Sequence, residues 1–202
     1  IFCDTDGEEQ FCRHGFLPPA AFAVQLTRAH RLIECMHAVG EQPYDARRHR
    51  DLGRAYMELD IEEGDAYYEA TIAHLRRAIQ LDPDNATGAN FDARVDLIIF
   101  ALPSSPSEAF NNLSAAQREM PESERRFEIR YYMAVAQWAM AQEKVGAAEE
   151  ATGGRGLSEE QAAEIARPFS TKAADLLMPF HTAEEGTPCY ESEWAAPALI
   201  LL

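Results

Sequence analysis

Apolar residues at helical spacing, cut into lengths of about twenty by prolines, constrain this chain more than any other feature. From Pro18 to Val39, Phe22, Leu26, Ala29, Leu32, Ile33 and Met36 recur with a helical period, opened by Pro18-Pro19 and closed by Gly40. A second helix is expected from about Tyr44 to Leu59, with Leu52, Tyr56 and Leu59 on one stripe and Arg47, Arg48, Arg50 and Arg54 largely on the other. The turn Asp60 to Gly64 ends it, and a third helix covers Asp65 to Leu81 with Asp65 as N-cap.

Asp82-Pro83-Asp84-Asn85 stops that helix, because Pro83 disfavours helical dihedrals at Asp82 and cannot donate the next backbone bond. A fourth segment, Ala89 to Leu102, contains Leu97-Ile98-Ile99-Phe100. Four such residues also fit a buried strand, but helices at matching intervals on either side favour a helix. After Pro103 and Pro106, Ser107 is read as the cap of a fifth helix that runs to Glu119. The sixth, from about Glu122 to Gln142, is expected to be the most amphipathic, with Phe127, Tyr131, Ala134, Val135 and Trp138 on one side. Residues 143–157, with Gly153-Gly154-Arg155-Gly156, read as a mobile loop. Ser158 with Glu160 and Gln161 then opens a seventh helix as a capping box, which Pro168 kinks or splits before Phe180.

The fold class is therefore all-α, with about seven helices over 18–180, an N-terminal extension over 1–17 and an apolar tail over 181–202. At 202 residues the chain suits one buried core or a short stack of helical hairpins. A net charge of -16 argues against nucleic acid or an anionic membrane as partner, since both repel such a chain. No apolar run reaches the length needed to span a bilayer.

The segment Leu52-Gly53-Arg54-Ala55-Tyr56, followed by Leu75, Ala78 and Leu81-Asp82-Pro83, resembles a tetratricopeptide repeat. A fainter second copy has Ala109, Leu113, Ala116 and Pro121 in its closing half, with Leu97 and Phe100 where the family places Gly and Tyr. Its closing proline follows the first by 38 positions (121 minus 83), against about 34 in the family. The resemblance implies an α-α superhelix of hairpins in which Gly53, lacking a Cβ, lets two helices approach closely. It also implies a concave face that holds a peptide or a neighbouring subunit. Arg47, Arg50 and Arg54 offer a basic stripe for a partner's terminal carboxylate, although a solvated helix face is the better reading.

Catalytic signatures are missing: no phosphate-binding glycine loop, nucleophile elbow or HExxH occurs, so a non-enzymatic role without cofactor or metal is expected. His30 and His37 could share a face, yet two ordinary surface histidines account for them. The chain starts at Ile1 without Met, as a product of signal-peptide removal would. Secretion, or a periplasmic address, would suit disulfides: Cys3 with Cys12 around a short acidic loop, and Cys35 with Cys189 tying the tail down, unless Cys35 is an inert buried thiol.

Two groups of residues remain as interaction candidates. Tyr67, Tyr68, Tyr131 and Tyr132 form aromatic doublets in which one ring of each faces outward for sugar stacking or subunit contact, unless both pack in the core. Trp194, Pro197, Leu199, Ile200, Leu201 and Leu202 form an apolar end that either folds back or inserts into another copy. The function expected is a secreted self-associating protein, in a filament or coat that a polysaccharide accompanies. The alternative is a monomeric periplasmic adaptor that grips a peptide.

Overall fold

The computed structural model describes residues 2–3, 9–11, 18–63, 67–153, 156–183, 187–189 and 194, with backbone alone for 2–3, 9–11 and 60–63. Two short strands, β1 (Phe2–Cys3) and β2 (Glu9–Phe11), pair antiparallel with a register irregularity between Phe2 and Cys3. Seven helices follow among the described residues: α1 (Pro19–Glu41), α2 (Ala46–Glu63), α3 (Tyr68–Leu81), α4 (Ala89–Ala101), α5 (Pro106–Glu119), α6 (Arg126–Ala151) and α7 (Glu159–His181). The chain divides into two compact units, 1–97 and 98–202, with the division inside α4. Consecutive helices pack within each unit, α1 on α2 and α2 on α3 in the first, α5 on α6 and α6 on α7 in the second. This arrangement is compatible with a helical repeat.

In the first unit, Ala29 and Leu32 of α1 meet Leu52, Ala55 and Leu59 of α2, while Leu75 and Ala78 of α3 meet Ala93 of α4. Gly53 does what its missing side chain allows. A Cβ there would lie 2.7 and 2.8 Å from Cγ and Cδ2 of Leu75 and 3.2 Å from its backbone nitrogen. Leu75 is fully buried and has nowhere to retreat.

The stop after α3 is built by hydrogen bonds. Asn85 takes a left-handed φ of 54°, and its Oδ1 accepts the Phe91 N–H at 2.9 Å. The Asp82 carboxylate accepts the Thr87 hydroxyl at 2.7 Å and the N–H groups of Thr87 and Asn90 at the entry to α4. Burial pushes the Asp82 carboxyl up, but these donors outweigh it and hold the group below its ordinary value.

Several boundaries differ from the sequence reading. α2 continues through Glu63, past the turn expected at Asp60. α3 begins after Tyr67, and Asp65 lies outside the described residues. Ser107 is not the cap of α5: Pro106 occupies the first turn, where its missing N–H costs nothing, and Ser105 precedes it. The largest correction concerns α6, which runs to Ala151 through most of the stretch read as a loop. Glu143, Lys144, Ala147, Ala148 and Glu149 are good helix formers, and Gly146 is tolerated there.

α6 is also not a simple amphipathic helix. Ala136, Val135 and Ala139 face α5, whereas Phe127, Tyr131 and Ala134 face α7, so two of its sides are covered and Trp138 is left 56% exposed. α7 opens with the expected capping box, Ser158 Oγ accepting from Gln161 N–H and Gln161 Oε1 accepting from Ser158 N–H. It stays one helix through Pro168 and Pro179 rather than splitting. No helix among the described residues is long and apolar enough to cross a membrane.

Candidate functional site

In the second unit, α6 and α7 build an aromatic seat for Trp194. Tyr131 and Tyr132 are neighbours on α6, with ring centroids 5.2 Å apart, edge to face. Trp194 lies against both, 5.1 Å from the Tyr131 ring and 5.4 Å from that of Tyr132. One turn earlier, Phe127 meets Phe180 of α7 edge-on at 5.9 Å, and the Arg126 guanidinium covers the Phe127 ring at 4.4 Å. Ala134, Leu177 and Phe180 form the buried floor. Aromatic pairs of this kind each add about 0.5–1.5 kcal/mol beyond the area they bury. Burial pushes the Tyr131 phenol up.

The approach to the seat is pinned by Cys189, whose thiol donates to the Pro179 carbonyl at 3.3 Å. Desolvation pushes this thiol up, only partly opposed by the charges of Arg130 and Arg126. Neither Cys35 nor Cys189 is in a disulfide, so the bridge expected between them is absent. Each sulfur is instead engaged locally: Cys35 packs on the α1–α2 core and Cys189 on the α6–α7 core. Cys12, the expected partner of Cys3, lies outside the described residues, as do Pro197, Leu199, Ile200, Leu201 and Leu202.

The two sets of residues that sequence reasoning kept apart, the Tyr131–Tyr132 doublet and Trp194, thus come together. Trp194 covers the rings that were candidates for sugar stacking. In the first unit Tyr67 is likewise engaged, stacked at 5.5 Å on Tyr56, while Tyr68 stands 44% exposed.

The arginine stripe of α2 is used internally. Asp96 of α4, with no exposed surface, accepts from Arg50 Nε at 2.8 Å and from an Arg54 terminal nitrogen at 3.1 Å. Arg54 also pairs with Glu58 at 3.6 Å, and Glu58 receives a forked contact from Arg31 of α1. Arg47 donates through two nitrogens, at 2.6 and 3.1 Å, to the Thr87 carbonyl. Arg50 and Arg54, read as part of a solvated helix face with a partner's carboxylate as the lesser alternative, are instead mostly covered and hold a carboxylate of the same chain. Asp96 lies 46 positions from Arg50 and 42 from Arg54, a separation that no local pattern discloses.

A histidine pair that the sequence did not single out sits at the α2–α3 contact. His49 is buried, and its Nδ1 lies 2.9 Å from Nδ1 of His74, while its Nε2 is 3.0 Å from the Pro43 carbonyl. The two imidazoles stack at 5.2 Å, and Tyr56 stacks on the His74 ring at 5.9 Å. Desolvation, with a smaller effect of His49, holds His74 below its ordinary value. By contrast His30 makes an exposed 3.3 Å pair with Glu34, and His37 is also exposed.

A cleft of about 320 Å3 opens between α1 and α2, lined by Arg31, Glu34, Cys35, Ala38, Arg48 and Asp51. Burial, then the negative charge of Asp51, pushes the Cys35 thiol up, so the thiol stays protonated and is a weak nucleophile. Comparison with protein-family models, curated proteins and solved structures finds no match to this chain.

Proposed function

We propose that this chain is a structural interaction protein of the tetratricopeptide-like kind that self-associates by exchanging its C-terminal segment. Trp194, seated on Tyr131 and Tyr132 of its own chain, takes the same seat on a neighbouring copy, and the apolar residues beyond it follow. A contact already formed within one chain needs no new chemistry to form between two, only a change of connection. The observation that carries this reading is the Trp194–Tyr131–Tyr132 cluster.

Charge points the same way. At -16 the copies repel one another, so association requires an apolar anchor and strengthens as salt screens the repulsion. The setting we propose is an extracellular filament or coat that a polysaccharide accompanies, with Tyr68, which is 44% exposed, among the rings it can reach. A monomeric adaptor gripping a peptide's carboxylate is the weaker alternative, because Arg50 and Arg54 already hold Asp96.

Size-exclusion chromatography with light scattering tests the proposal on three chains: the whole sequence, Trp194→Ala, and a truncation ending at residue 193. The whole chain forms oligomers that grow with protein and salt concentration, and both variants run as monomers. Monomers for the whole chain under every condition defeat the reading.

A further inference from the structure

The His49–His74 contact holds information that the tail does not. A carbonyl oxygen only accepts, so the 3.0 Å contact with Pro43 requires a proton on His49 Nε2. A neutral His49 then has a bare Nδ1, and the facing Nδ1 of His74, 2.9 Å away, must carry the hydrogen between them. The two neutral rings are locked in opposite tautomers. His74 can take one further proton on its Nε2 and still donate to His49. Charging both rings sets N–H against N–H across the same gap, and the contact must open.

We propose that the His49–His74 pair is an acid-release catch between α2 and α3, closed by a single hydrogen between the two Nδ1 atoms and opened when both imidazoles are protonated.

Among the described residues no anionic partner engages either ring. On α2, Tyr56 stacks on the far side of His74, and Tyr67, just before α3, stacks on Tyr56. Asp45, one turn before His49, turns its Oδ1 to the backbone N–H groups of Arg47 and Arg48. On α3, Arg77 reaches Gln80 rather than the rings. On α2, Arg50 is held by Asp96, Arg47 by the Thr87 carbonyl, and Arg48 lines the cleft toward α1. Among the described residues no carboxylate of α1, α2, α3 or α4 forms a hydrogen bond or ion pair with either imidazole.

The sign follows from proton counts. The His74 imidazole titrates near 6.5 in the unfolded chain, and desolvation holds it lower in the folded protein. The stabilisation is thus complete above that pH and is lost as the pH falls below it. Each ring kept neutral lowers the folding equilibrium constant about tenfold per pH unit.

The test has two arms. Denaturant unfolding of the full chain is followed between about pH 5 and 8 and compared with a double variant, His49→Gln with His74→Phe, which keeps one aromatic ring and removes both titrations. Below pH 6.5 the wild-type folding constant falls more steeply than that of the variant, by up to about tenfold per pH unit, because the closed pair excludes one of the two protons that the unfolded rings take up. Equal slopes overturn the proposal. Independently of any variant, ring-nitrogen NMR of the wild-type protein at neutral pH finds the hydrogen on Nε2 of His49 and on Nδ1 of His74. The same tautomer on both rings overturns it as well.

Discussion

Leu75 occupies the space that a side chain on Gly53 would need, its Cγ only 2.7 Å from where a Cβ would stand. Alanine normally gains about 1 kcal/mol over glycine within a helix. Here the forced displacement of a buried leucine costs about 1–3 kcal/mol and opposes that gain. Gly53→Ala therefore destabilises the chain by up to about 2 kcal/mol in a urea titration. A stabilised variant would show that α2 and α3 are not pressed together there.

Asp96 and its two arginines predict a different kind of loss. Arg50 and Arg54 have side-chain exposures of 17% and 16%, so removing the carboxylate leaves two poorly hydrated cations. Asp96→Ala is expected to cost about 3 kcal/mol or more. Replacing Asp96 by Leu together with Arg50 and Arg54 by Met recovers much of it, because a fully apolar substitute leaves no unpaired charge. If Asp96→Ala unfolds at the wild-type denaturant concentration, the three-residue contact contributes nothing.

Asp82 gives a pH-dependent prediction. Its carboxyl lies below the ordinary value of 3.8, so its contribution is complete above that pH and is lost as pH falls through the lower folded value. Asp82→Asn should be less stable than wild type by about 1–2 kcal/mol at neutral pH, through loss of the charge-assisted bonds to Thr87 and Asn90. The gap closes in acid below the folded value. A gap that is constant with pH would mean that the carboxylate charge has no part in capping α4.

The two tryptophans should be distinguishable by light. Trp138 is 56% exposed, whereas Trp194 packs on two tyrosine rings. With Trp138→Phe, emission comes from Trp194 alone, is blue-shifted and resists quenching by acrylamide. With Trp194→Phe it comes from Trp138, is red-shifted and is quenched readily. Equal quenching of the two would mean that Trp194 does not rest on Tyr131 and Tyr132.

What the sequence disclosed and what it hid divide along the range of the interactions. The Ser158–Gln161 capping box, the stop at Asp82-Pro83 and the role of Gly53 depend on neighbours or on one missing atom, and each is legible in a few letters. The Leu97–Phe100 run, open to two readings, is helical because Ala93 and Leu97 meet α3 at helical spacing. The length of α6 was hidden by Gly146 and by a polar composition that suits a solvated helix as well as a loop. Least legible were the partners of polar side chains. Arg50 with Asp96, His49 with His74 and Trp194 with Tyr131 each join residues far apart in sequence, and only packing selects them.

The buried Asp96 has a consequence for any ligand that would use the α2 arginines. It is tied to them by the chain itself, so an incoming carboxylate competes with a group held at a high effective concentration and already stripped of water. A free peptide terminus would have to displace an acid that cannot diffuse away. Recognition of an outside partner on that face must therefore rely on something other than charge pairing with Arg50 and Arg54.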